Sequence, residues 1–425
     1  MIFSTLWNRL RRGTDLFPHS WRVVLLTVAL CGFAGAQEEG TALGDFRVPQ
    51  YDEQGQMTSQ LFGEHAEMGS GSLVKIEGVR VEFYRDDEVF MTVESPRCLY
   101  DRKSRKVNSE APVSADMEGF RLTGTGYVLD VDGRTVQVLK ESRLVLESMM
   151  NGLQEGTGAG DSKAPDVTTI TSAKLFLDYF KRTARFVETV RVDNPELGLT
   201  CAALNIQFAE KSEIKQIDAL DGCILTIEKT EDSAMEENPE LELVCQTLQV
   251  RFAADNKVDQ IDALGGIRLE VFDEIAQTDD SLVAQDSPGT NDTATVITSK
   301  ELFLDYTGRT GRFENSVHVQ DSRMEMDCGT MTVRFGENNQ IDWIEALREV
   351  SIVSEGREAQ AGKAVYDVTT DEFLLEENSK ILEGRNILLG DRIRFWRATG
   401  RMVCEPSARL IIYPDDKTNT KLFEN

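Results

Sequence analysis

An all-β, antiparallel fold is what this sequence predicts, and three observations predict it. Apolar residues recur with a period of two rather than 3.6, short polar turns close the alternating runs, and one 60-residue stretch occurs twice, the mark of a chain assembled from repeated units. Leu204, Ile206 and Phe208 alternate with Asn205 and Gln207; Leu248, Val250 and Phe252 with Gln249 and Arg251; Met331, Val333 and Phe335 with Thr332 and Arg334. Each set gives its strand one apolar face, turned inward. These nine residues are the candidate binding positions, and a closed hydrophobic core is the competing reading of the same alternation.

At the N-terminus, Arg9, Arg11, Arg12 and Arg22 precede an apolar run from Val23 to Ala36 that ends in Ala34-Gly35-Ala36. A basic flank, a short apolar run and a small-residue end are the layout of a cleaved export signal. The run is 14 residues long, whereas a helix crossing a hydrocarbon core of roughly 30 Å needs about 20; an uncleaved anchor over 1–36 is the alternative. Residues 45–148 then read as a first β unit, 149–168 as a glycine-rich linker, 169–274 as β repeats, 275–296 as a linker rich in Asp, Ser and Thr, and 297–415 as further repeats. The run Gly156-Thr157-Gly158-Ala159-Gly160 lacks the Lys-Ser or Lys-Thr ending of a phosphate loop.

The repeat is explicit. Ile170–Lys229 aligns without a gap to Ile297–Gly356 at an offset of 127, with 22 identities in 60 positions, where chance gives roughly three or four at average residue usage. Leu241–Glu270 repeats the second half at an offset of 44 from Leu197. Turns such as Glu210-Lys211-Ser212 and Glu337-Asn338-Asn339 lead into strands opening Ile217-Asp218-Ala219-Leu220 and Ile344-Glu345-Ala346-Leu347, which makes hairpins or corners. Cys201, Cys245 and Cys328 each lie three residues before the first apolar residue of the run that follows, out of phase with it, so a bulge or bend separates them. The Tyr and Asp pairs at Tyr100-Asp101, Asp178-Tyr179, Asp305-Tyr306 and Tyr366-Asp367 mark strand ends, with the aspartate suited to the turn.

Composition narrows the function classes. The chain carries 73 acidic and 46 basic residues, a formal charge of −27, which opposes binding to a phosphate backbone and so excludes nucleic acid as a partner. Six cysteines follow residue 36, none in a CxxC pair and none near a histidine, so zinc spacing is absent; buried free thiols and bridges both stay open. His65 and His318 stand in no triad or metal-ligand pattern. No catalytic, metal or cofactor motif emerges, and a non-enzyme is expected.

Two stretches resemble a known system. The opening Tyr51-Asp52-Glu53-Gln54-Gly55, the run Leu73 to Phe83, Ser95-Pro96-Arg97-Cys98-Leu99-Tyr100-Asp101, Ala111-Pro112-Val113-Ser114 and Leu122 to Tyr127 resemble the LptC family of lipopolysaccharide export. Ala184 to Val192, Gly311 to Val319, Ala361 to Asp367 and Ile387 to Ile393 resemble the LptA/OstA family. The resemblance implies an antiparallel OstA-type β-jellyroll, a folded and twisted sheet with open ends whose interior holds lipopolysaccharide acyl chains. It further implies a periplasmic location, an inner-membrane ABC transporter complex and an outer-membrane translocon as partners, and edge-to-edge association of strands. Two features depart from it: the fusion of both kinds of unit in one chain, and an acidity that would repel an anionic headgroup unless cations or Arg392, Arg394 and Arg397 intervene. A structural or adhesive β-repeat scaffold of the envelope without lipid cargo is the alternative class; a secreted polysaccharide enzyme, with clustered carboxylates or a metal in a cleft, is a third.

Overall fold

The computed structural model describes residues 41–413 apart from short stretches, chief among them 148–166, 228–239 and 273–293. The expected signal segment, most of both expected linkers and the turns at 210–212 and 337–340 lie outside the described residues. Twenty-three strands are described and no α-helix among the described residues. The first seven are β1 (Thr41–Tyr51), β2 (Met57–Met68), β3 (Leu73–Arg85), β4 (Glu88–Asp101), β5 (Lys106–Met117), β6 (Phe120–Asp130) and β7 (Thr135–Glu147). Then come β8 (Val167–Ser172), β9 (Lys174–Asp178), β10 (Thr183–Asn194), β11 (Leu197–Phe208), β12 (Ile214–Ile227), β13 (Glu240–Phe252) and β14 (Val258–Phe272). The last are β15 (Ala294–Asp305), β16 (Thr310–Gln320), β17 (Met324–Phe335), β18 (Ile341–Ser354), β19 (Arg357–Asp367), β20 (Glu372–Glu383), β21 (Asn386–Trp396), β22 (Arg401–Cys404) and β23 (Arg409–Ile411). The strand at 167–168 and at 294–296 takes in the ends of both expected linkers.

The sequence repeat is a structural repeat in full register. Adding 127 to the bounds of β11 and β12 gives those of β17 and β18, and β8 together with β9 maps in the same way onto β15. The offset of 44 carries β12 onto β14, whose first residue is Val258.

Every pairing is antiparallel and sequential. Each strand lies beside the next, from β1 to β7 and from β10 to β21. β8 and β9 are two halves of one broken strand that bridges β7 to β10, so the ladder runs unbroken across the expected boundary at 149–168. The pairing of β14 with β15 does the same across 275–296. At the far end β22 and β23 both pair with β21.

What turns this long meander into a folded sheet is a bulge near the middle of its strands. The ladder skips between Val187 and Val190, Thr200 and Ala203, Leu220 and Cys223, Glu314 and Val317, and Glu376 and Ser379. An inserted residue kinks a strand and raises its twist. On alternate strands the insertion is a pair with positive φ: Glu188 and Thr189 at 66° and 59°, Asn315 and Ser316 at 66° and 62°, Glu377 and Asn378 at 67° and 60°. Gly265 and Gly266 take the equivalent place at 87° and 82°, where the missing Cβ removes the steric cost. Apolar side chains are buried on both sides of the kink, as Ala184 and Phe186 before it and Val190 and Val192 after it on β10. Each long strand thus supplies its two halves to two facing walls. Aromatic contacts between strands that are not ladder neighbours close the interior: Phe120 of β6 stacks on Phe208 of β11 at 5.8 Å, and Phe83 of β3 meets Tyr179, just after β9, at 5.3 Å.

The bulge expected from the phase of Cys201, Cys245 and Cys328 lies where that phase put it, and the thiols have a part in it. Cys201 donates to the carbonyl of Ala203 at 3.2 Å and Cys328 to that of Thr330 at 3.4 Å. Ser95, Ser172 and Ser299 make the same bond to the carbonyl two residues on, at 3.2, 2.8 and 2.9 Å. A small donor at this point adds a side-chain bond to the backbone beside the kink.

The strand-end aspartates are turn residues. Asp178 accepts from the amides of Phe180 and Lys181, Asp305 from Gly308 and Asp367 from Thr370. Asp101 accepts from the Lys103 amide at 2.9 Å and from the Ser104 hydroxyl at 2.9 Å, and these bonds, the Lys103 amide foremost, hold its carboxyl at about 2. Because the folded-state value lies below the ordinary one, the stabilisation is complete above the ordinary carboxylate range and is lost as pH falls toward the folded-state value. The melting temperature should therefore fall less between pH 4 and pH 2 in Asp101→Asn than in the parent; equal falls in thermal unfolding scans would refute this role.

Candidate functional site

The nine inward candidates all lie on one wall, formed by the half-strands that include Ala203–Phe208, Thr247–Phe252 and Thr330–Phe335. They belong to rows that run across the strands, along the length of the interior. One row passes from Leu175 through Phe186, Leu204, Ala219, Leu248 and Ala263. It continues through Leu302, Phe313, Met331, Ala346, Ala364 and Leu375 to Ile393. No member exceeds 5% exposure. The row spans thirteen strands, β9 to β21, which at about 4.8 Å between neighbours is an apolar track of about 60 Å.

The adjacent row behaves differently along its length. Ala184, Ile206 and Ile217 are buried, and Val333 is buried at 4%, whereas Val250, Leu304, Ile344, Tyr366, Phe373 and Phe395 are half-buried. The third row, toward the turns, goes from Phe208 at 9% through half-buried Phe252 and Phe335 to Ile341 at 40%. Buried and half-buried members of the row through Ile206 are mixed from β13 to β17, where Ile261 and Val333 are buried, and every member from β18 to β21 is half-buried; the interior is thus filled near β10 to β12 and opens toward solvent over β18 to β21.

The facing wall carries Val190, Cys201, Cys223, Cys245, Val317, Cys328 and Val350 along the kink, all buried. Burial pushes the thiols of Cys201 and Cys328 up to about 11 and that of Cys98 up to about 12, so these sulfurs are neutral at physiological pH. All six described cysteines are free. The two rows described above contain no charged side chain.

Among the described residues no charged side chain is buried. Arg312 pairs with Glu314 at 3.0 Å and Lys363 with Glu345 at 2.6 Å. Arg392 lies 2.9 Å from Glu376, and Arg394 lies 3.8 Å from Glu372, so both are held by carboxylates of β20; Arg397 is outside the described residues. His318, which the sequence leaves without a pattern, faces Asp327 across the β16–β17 ladder, with Nδ1 at 2.9 Å from Oδ1, and Glu325 stands nearby at 4.0 Å. An open cavity of about 990 Å³ lies across β1 to β6, lined among others by Arg47, Phe62, Glu64, Arg80, Glu94 and Ser114, and none of the nine candidates borders it.

Sequence reading found the candidates on β11, β13 and β17 and passed over their partners. Ala219, Ala263 and Ala346 sit opposite them on the return strands, and Leu302 and Phe313 continue the row. The signal was present as the same period of two, muted by alanine.

The comparisons with known proteins divide along the chain. Residues 36–147 match the family model described as lipopolysaccharide-assembly, LptC-related, and residues 296–401 match the one described as LptA/(LptD N-terminal domain) LPS transport protein. These cover β1 to β7 and the strands from β15 to β21; β8 to β14 lie between them and are tied to the second match by the 127-residue repeat. No curated protein matches the chain. Among solved structures, LptH of Pseudomonas aeruginosa, the LptA-homologous periplasmic component of a lipopolysaccharide transport device, is 14% identical, with 28% of this chain and 95% of that chain covered and a TM-score of 0.27. The TcdB2-TccC3 structure is 9% identical, with 83% and 29% covered and a TM-score of 0.08. The chain is thus similar to the LptC-related family over 36–147 and to the LptA/LptD N-terminal family over 296–401, and its all-strand antiparallel architecture stands on the ladder itself.

Leu204 and Gln207 separate interior from surface on one strand, the first at 0% exposure and the second exposed. Leu204→Ala should cost about 2–5 kcal/mol in denaturant unfolding and Gln207→Ala less than about 0.5 kcal/mol; similar costs would place Leu204 outside the packed row.

Proposed function

We propose that this chain is a periplasmic carrier in lipopolysaccharide transport, and that it holds acyl chains along the apolar track between its two walls. The family matches at both ends support the transport reading. The observation that carries the finer one is the change from buried to half-buried inner positions toward β21: an apolar interior that is accessible at one end and continuous with a sealed row. Removing apolar surface from water is worth about 25 cal/mol per Å² and needs no directional contact, so a chain of methylenes can be held, and can slide, without a specific polar partner. The outer carboxylates are kept away from the cargo by the alternation of the strands. Among the described residues β1 has a ladder partner on one side only, as do β22 and β23 at the other end, and such edges are suited to strand addition by neighbouring components, an inner-membrane ABC transporter complex and an outer-membrane translocon being the partners of this reading.

A scaffold of the cell envelope without cargo is the second reading, and the near-complete burial of Leu204, Ile206, Leu248 and Met331 favours it locally. A photo-crosslinking residue at Phe335, half-buried and inward, should capture lipopolysaccharide in the native bacterium, and one at exposed Arg334 should not. Phe208, in the filled section, should capture less than Phe335. Folded protein with no lipid adduct at either inward site would leave the scaffold reading in place.

A further inference from the structure

Cys223 and Cys245 are direct partners in the β12–β13 ladder, at the kink, and are 0% and 4% exposed. Residues opposite one another in an antiparallel pair have Cα atoms about 4.5–5.5 Å apart, inside the roughly 4.4–6.8 Å that a disulfide spans. Cys245 belongs to the recurring set with Cys201 and Cys328, but Cys223 does not: the matching positions in the other copies are Ile267 and Val350. A cysteine therefore replaces an aliphatic residue in the copy whose next strand sets a kink cysteine directly opposite. Cys201 has Val190 as its ladder partner, and Cys328 has Val317. On the other side of Cys223, Cys201 falls in the stretch that the β11–β12 ladder skips, and its thiol is turned onto the carbonyl of Ala203 at 3.2 Å.

We infer that Cys223 and Cys245 close as a cross-strand disulfide when the chain folds in the presence of a thiol–disulfide exchange oxidant. The inference rests on the exported, periplasmic reading for where such an oxidant is met. In the folded, reduced chain the Cys223 thiol donates to the Gln246 carbonyl at 3.7 Å; during folding the Cys245 thiol, as its thiolate, is the nucleophile. Cys245 attacks one sulfur of the oxidant's disulfide; that S–S bond breaks, and one oxidant thiolate leaves. It takes the Cys223 proton, and the Cys223 thiolate attacks the Cys245 sulfur of the mixed disulfide, releasing the second oxidant thiolate. Two thiols of this chain are oxidised to one disulfide, and the oxidant's disulfide is reduced to two thiols, which keep the two protons. The bridge would tie together the hairpin whose connection includes residues 228–239, removing freedom from the unfolded chain.

The test is a cysteine map of the full chain, reduced, refolded with oxidised glutathione, then unfolded with N-ethylmaleimide and digested for mass spectrometry. Expected are a Cys223–Cys245 linked peptide, two fewer alkylated cysteines than in a dithiothreitol-treated sample, and a melting temperature that falls by several degrees on reduction. Cys223→Val, which installs the residue of the matching position, should abolish the link and the redox dependence while the protein stays folded. Alkylation of every cysteine, or a link through Cys201, overturns the inference. The same map on protein taken from cells separates it from the reading it rests on: a bridge formed on refolding but absent in cells leaves the pair standing and counts against periplasmic export.

Discussion

The kink at the middle of the long strands is the constraint on which the rest depends. Without it, strands of 11 to 15 residues would form a flat ribbon with one apolar face exposed to water over its whole length. With it, both halves of each strand keep their apolar alternation on the inside, and one chain provides both walls of its own core. The kink is expensive, since it takes backbone groups out of the ladder and drives non-glycine residues such as Glu188, Thr189, Asn315 and Ser316 to positive φ. Burial on both sides and the side-chain bonds of the recurring serines and cysteines offset that cost.

Much of this was legible in the sequence because it is local. The period of two identified the inner faces at Leu204, Leu248 and Met331, the repeat offsets gave the strand register, and the phase slip after each recurring cysteine marked the kink. The aspartates at strand ends were readable as turn residues for the same reason. What the sequence did not show is how separated pieces meet. Nothing local announces that Phe120 stacks on Phe208, or that β7 pairs directly with β8 and β9 beyond the glycine-rich stretch. Arg392 looked available to an anionic group only because its partner, Glu376, lies on the preceding strand. The gradient from a filled to an open interior was hidden as well, since alternation records which face is apolar and not how closely the opposite wall approaches.

The division of labour between faces follows from the same alternation. Among the described residues no charged side chain is buried, pairs such as Lys363 with Glu345 partly neutralise the outer charge, and the row from Leu175 to Ile393 holds no ionisable group. A large net charge and a continuous apolar interior coexist because a strand separates neighbouring side chains onto opposite faces.

The strictly sequential ladder has a consequence for how such a molecule can change in size. Each strand touches mainly its chain neighbours, so the architecture is quasi-one-dimensional and its energy is close to a sum over adjacent strands. The offset of 44 corresponds to one hairpin and that of 127 to three, with β8 and β9 counted as the single strand they replace. Duplication in whole hairpins keeps every turn at its own end and every inner face inward, so the reach of the interior becomes a quantity adjustable in steps of two strands, without redesign of the core.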